Sequence, residues 1–137
     1  MMKLWTHVAT WLLAAVLVVA GIGKLADPAP VGLPFPVPGW IESGLPWGAA
    51  WLELAVAMAL VQPSLRRQGA AAACALTLVF AAIVLAGAGR EAASRCACMG
   101  PWTPSWGLGG HLVLIAAMLV GSIMVFRRAG VSTRVPS

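Results

Sequence analysis

The chain has 137 residues, 61% of them hydrophobic and only 9% charged, with a formal net charge of +5. Soluble globular domains carry about a quarter of their residues as charges, so a water-soluble enzyme or binding module is excluded, and the mean hydropathy of +0.90 points to a bilayer. The basic residues gather in short loops and tails between apolar runs, a membrane pattern that gives nucleic acid no support as a partner.

Four apolar stretches each approach the roughly 20 residues needed to cross a hydrocarbon core. The first, 4–25, is free of charge between Lys3 and Lys24. Its length exceeds a signal-peptide core, and Lys24 and Asp27 follow where a small-residue cleavage site is required, so it reads as a retained span. The outer loop 26–44 comes next. From Ala26 to Pro46 the chain holds six of its ten prolines (Pro28, Pro30, Pro34, Pro36, Pro38 and Pro46), which predicts an extended, stiff cover. Trp40, Trp47 and Trp51 suit the membrane interface, as do Trp102 and Trp106 further on. The second span, 45–61, carries a single charge, Glu53. A short turn with Pro63 and the Arg66–Arg67 pair leads to the third span, 69–88, where the run Ala70 to Ala73 lets helix backbones approach closely. Cys74 in this span reads as a small apolar core residue. The second outer loop, 89–105, holds Arg90, Arg95, Cys96, Cys98 and Met99. The fourth span, 106–126, has His111 near its start, and a short basic tail follows Phe126. The expected fold class is all-α: a polytopic membrane protein, one domain over 1–137, built as a four-transmembrane-helix up-down bundle.

Lysine and arginine set the orientation. Lys3, Arg66, Arg67, Arg127, Arg128 and Arg134 fall on one side, and Lys24, Arg90 and Arg95 on the other, six against three. The positive-inside rule then predicts a protein of the cytoplasmic membrane with both termini in the cytoplasm and both long loops outside.

Three groups of residues bear on chemistry. Cys96 and Cys98, one residue apart, can close a small disulfide ring, ligate a soft metal, or act as an inert staple in an assembly subunit. Outside the cytoplasm disulfides form and persist, and a ring so short is strained and readily exchanged. Arg95 beside the pair and Arg90 nearby favour the thiolate. The metal alternative takes Cys96, Cys98, Met99 and His111, a donor set that suits Cu(I). Glu53 is an ionisable group inside an apolar span and therefore calls for a partner or a function. Lys24, at the outer end of the first span, is the natural counter-ion, and a proton-handling or quinone-contacting role is the alternative. His111 is either a hydrogen-bonded structural residue or an acid–base group for a thiol.

Several short motifs, in order, resemble the MauE family of small membrane proteins from methylamine utilisation, related to DoxX-type proteins. They are Gly21-Ile22-Gly23-Lys24-Leu25-Ala26-Asp27-Pro28 ending the first span, Leu52-Glu53-Leu54-Ala55 inside the second, the Arg66-Arg67 turn, and Cys96-Ala97-Cys98-Met99-Gly100 before the fourth. Ala97 and Met99 depart from the family's usual Cys-Gly-Cys-Phe-Gly. The resemblance implies thiol–disulfide chemistry at Cys96 and Cys98, with an extracytoplasmic thioredoxin-like protein or a maturing client as partner. The expectation is a membrane thiol–disulfide oxidoreductase with Cys96, Cys98 and His111 as catalytic candidates. It requires no bound cofactor, and a membrane quinone is the candidate at the other end of the electron path.

Overall fold

A bilayer core offers no water to peptide groups, so a chain that crosses it must close its own hydrogen bonds, and a helix does this within one segment. The computed structural model describes residues 2–28, 36–87 and 107–131. These form α1 (Met2–Ala26), α2 (Gly39–Val61), α3 (Arg66–Gly87) and α4 (Gly107–Val131). All four are long and apolar enough to span a membrane. Each packs against the next in the chain and α1 closes on α4. The result is a multi-pass, four-helix up-and-down bundle.

The interior is built from small and medium side chains. Leu13, Ala14 and Leu17 of α1 meet Val56, Ala57 and Leu60 of α2, Ala70 and Ala73 of α3, and Val125 of α4. Large apolar groups point outward instead: Met58 is 73% exposed, Val113 71% and Trp5 67%. In water this would be unstable, but lipid is as apolar as leucine, so helices associate through close packing of small residues. Gly69 marks the tightest approach. A Cβ there would lie 2.7 Å from the Leu60 backbone nitrogen and 2.8 Å from the Ala59 carbonyl carbon. The turn between α2 and α3 is therefore as narrow as the backbone allows. Across it, Arg66 Nε donates to the Leu60 carbonyl at 3.4 Å, partly satisfying one of the acceptors left over at a helix C-terminus.

Two boundaries differ from those expected by more than three residues, the start of α2 and the end of α4. α2 begins at Gly39, so residues 39–44 of the expected outer loop are helical and Pro46 lies inside the helix. Hydropathy falls at Glu42, Ser43 and Gly44, but helix formation does not stop there. Glu42 in the first turn suits the positive end of the helix dipole, and the fixed φ of Pro46 is helical, at the cost of one backbone hydrogen bond. α4 likewise runs beyond Phe126 to Val131, taking Arg127 and Arg128 into its last turns. Cations stabilise that negative end.

Gly69 supplies a clean test of the α2–α3 contact. Alanine is favoured over glycine in a helix by about 1 kcal/mol, so Gly48→Ala, where nothing lies within 4 Å, is expected to hold or raise thermal stability in detergent. Gly69→Ala is expected to lower stability by about 1–3 kcal/mol, because its methyl meets backbone that cannot rotate away. Equal effects of the two substitutions in a thermal unfolding assay would contradict the close approach.

Candidate functional site

The polar centre of the bundle starts from a glycine. At Gly21 a Cβ would be 3.1 Å from the Ala50 carbonyl oxygen and 3.1 Å from Leu54 Cγ, so its absence lets α1 and α2 touch. Lys24 is three residues on from Gly21 and Glu53 three on from Ala50, and such spacings share a helix face. The two side chains meet there: Lys24 Nζ donates to Glu53 Oε1 at 2.7 Å and to Oε2 at 2.9 Å. Their side chains are only 3% and 1% exposed. From α3, the Phe80 ring presents its face to the ammonium, 5.4 Å from Nζ to the ring centroid, an attraction that strengthens out of water.

Beneath the pair lies a cavity of about 30 Å³ walled by Glu53, Thr77, Phe80, Val16, Leu114 and Met118 among others. That is room for a water molecule or two. The Thr77 hydroxyl donates to the Ala73 carbonyl at 2.7 Å, so its proton is already committed. Glu53 is not saturated by Lys24: a carboxylate offers about four acceptor positions, and the lysine occupies two. The cavity shares Val16, Leu114 and Met118 with a groove of about 530 Å³ on the lipid-facing side of the α1–α4 seam. Val16, Leu114 and Met118 thus stand between the groove and the cavity beside the ion pair.

His111 is buried, one turn into α4. Leu114 and Ile115, a turn further along, wall the cavity, so α4 delivers an imidazole to the same end of the bundle as Lys24. Lys24 and Glu53 are brought together, and His111 stands at their end. Cys96, Cys98, Met99, Arg90 and Arg95 lie outside the described residues. Among the described residues no group of three His, Cys, Asp or Glu side chains is arranged to hold a metal. Cys74 is half-buried on α3, against the α3–α4 groove. Sequence reasoning missed Phe80 and Thr77. Their signal was present: a lone aromatic in α3, three residues from a threonine and so on the same face.

A buried pair is costly to break from one side, because the surviving charge is left without compensation. Lys24→Met and Glu53→Gln are each expected to cost about 3–5 kcal/mol in detergent unfolding. The double variant is expected to cost clearly less than their sum, because the two charges vanish together. Strict additivity in the cycle would mean that the charges do not meet in the folded protein.

The family model described as methylamine utilisation protein MauE matches residues 2–126. No curated protein and no solved structure matches the chain. The match takes in α1, α2, α3 and all but the last residues of α4, and so includes Lys24, Glu53, Phe80 and His111 as well as the Cys96–Cys98 segment. The chain belongs to the MauE family.

Proposed function

We propose that this protein is a thiol–disulfide oxidoreductase of the cytoplasmic membrane, with Cys96 and Cys98 as its redox pair. The observation that carries the reading is the Cys96-Ala97-Cys98 motif in the segment that joins α3 to α4. That segment departs from the end of the bundle where Lys24, Glu53 and His111 gather. The six-to-three distribution of lysine and arginine supports an orientation with this end outside the cytoplasm, where dithiols and disulfides interconvert.

In this reading one cysteine thiolate attacks a disulfide sulfur of an extracytoplasmic thioredoxin-like protein or maturing client. The partner's other sulfur leaves as a thiolate and takes a proton. The second cysteine then attacks the mixed disulfide, releasing the partner as a dithiol and leaving Cys96 and Cys98 joined. The same steps run in reverse if the partner is the reductant. Arg95 and Arg90 favour the attacking thiolate, and His111 is the acid–base group nearest in sequence on the α4 side. A membrane quinol–quinone couple is the cofactor class that fits the other half-reaction: quinol would supply two electrons and two protons to the Cys96–Cys98 disulfide in the direction above, and quinone would accept them in the reverse. The α1–α4 groove would receive its tail, and the spare acceptor positions of Glu53 would hydrogen-bond a hydroxyl on its ring.

Cys96→Ser and Cys98→Ser are each expected to abolish complementation of a deletion strain while the protein still accumulates in the membrane. A disulfide closing so short a loop restrains the unfolded chain less than one closing a long loop, so stability is expected to change by no more than about 2 kcal/mol. One single variant should also trap a mixed disulfide, visible on non-reducing gels, because the resolving thiol is gone. A double Cys→Ser variant with full activity would sink the proposal.

The orientation is tested separately. After mild reduction of intact spheroplasts, a membrane-impermeant maleimide is expected to label Cys96 and Cys98. Labelling that requires permeabilised membranes would invert the topology and remove the oxidising compartment from the argument.

A further inference from the structure

The opposite end of the bundle holds a second feature, unrelated to the thiol pair. A groove of about 410 Å³ runs between α3 and α4, walled by Ala71, Ala75, Leu78, Ile123 and Phe126, and bounded at one end by Arg127. The Arg67 guanidinium stacks on Phe126, 5.1 Å from the ring centroid. A Cβ on Gly130 would lie 3.8 Å from it, so Arg67 rests against the last turns of α4. One guanidinium group, of Arg127, therefore lines the groove, and a second, of Arg67, lies on the Phe126 ring that forms part of its wall. The four acidic residues of the chain are Asp27, Glu42, Glu53 and Glu91, and neither α3 nor α4 contains any of them. No carboxylate on either helix neutralises this end.

A third observation concerns Ser122, which is fully buried in the groove wall. Hydroxyls in apolar helices usually return a hydrogen bond to the carbonyl one turn back. Thr10 does so to Thr6 at 2.8 Å and Thr77 to Ala73 at 2.7 Å. The Ser122 hydroxyl has no hydrogen-bond partner among the described residues. It stands five residues from Arg127, about 7.5 Å deeper along the helix at 1.5 Å per residue. In a glycerophospholipid the ester carbonyls likewise lie deeper in the membrane than the phosphate.

We infer that the α3–α4 groove binds an anionic glycerophospholipid. Its phosphate sits between Arg67 and Arg127, one acyl chain follows the groove past Ala75 and Leu78, and the Ser122 hydroxyl turns to donate to an ester carbonyl. Planar guanidinium groups suit phosphate oxygens, and stacking on Phe126 holds one of them in position. A zwitterionic lipid brings its own ammonium group, which the arginines repel. The α1–α4 groove has no charged lining residue and serves as an internal control.

The test is native mass spectrometry of the full-length protein, purified in non-ionic detergent and given equal amounts of phosphatidylglycerol and phosphatidylcholine. Phosphatidylglycerol is expected to be retained in preference. Arg67→Gln and Arg127→Gln should each weaken its retention about fivefold, since one basic residue near a lipid headgroup contributes about 1 kcal/mol. Arg127→Lys should keep most of the binding, which separates loss of charge from loss of fold. Ala75→Trp, filling the groove from an exposed position, should remove the adduct, and Ala116→Trp in the other groove should leave it. Equal retention of both lipids would overturn the inference. So would a phosphatidylglycerol adduct that survives Ala75→Trp, or one that millimolar inorganic phosphate displaces completely.

Discussion

The pair formed by Lys24 and Glu53 constrains everything around it. Two charges held in a nearly water-free interior are tolerable only when each compensates the other at short range, and both oxygens of Glu53 accept from the one ammonium. This fixes how α1 slides against α2: a shift of one residue would turn Glu53 away from Lys24 and leave both uncompensated. Gly21 makes the arrangement possible by removing the side chain that would hold the helices apart. Phe80 of α3 covers the cationic side, so the third helix is positioned by the same contact.

Away from that pair, cohesion comes from small residues. Ala57, Leu60, Ala70 and Ala73 pack where α2 and α3 turn on one another, and Gly69 lets the two backbones meet. The arginines at this end do structural work beyond orienting the chain. Arg66 reaches back to a carbonyl in the last turn of α2, and Arg67 lies over Phe126 of α4. The bundle is thus divided along its length. One end is tight, alanine-rich and ringed with arginine, and the other holds the ion pair, the cavity and His111.

That division gives the thiol–disulfide reading its physical setting. Helix α3 ends and helix α4 begins toward the end that holds the ion pair, and in the chain the cysteine-bearing segment lies between them. The buried carboxylate of Glu53 lines a small cavity there, and the α1–α4 groove shares part of that cavity's wall. The tight end carries Arg66, Arg67, Arg127 and Arg128.

Much of the fold was legible in the residues. Runs of apolar side chains long enough for a bilayer leave helices as the only economical conformation, and Pro63 with the arginine pair marks the turn between the middle two. The partnership of Lys24 with Glu53 was also legible, because an acid deep in an apolar span demands a base and few bases are available. Helix limits were less so: hydropathy reports where lipid begins, whereas the first turns of α2 and the last turns of α4 are set by backbone hydrogen bonds and by charges suited to the helix dipole. The linear order of residues therefore determined the number of crossings, the distribution of charge between the two sides and the need for a counter-ion. Only the tertiary structure decided that Phe80 faces the lysine, that the cavity and the α1–α4 groove share a wall, and that Ser122 is buried in the α3–α4 groove wall with no hydrogen-bond partner among the described residues. Those facts depend on how far each helix is rotated about its own axis, and rotation is set by close contacts between helices, at Gly21, Gly69 and Gly121 among them, that no single span encodes alone.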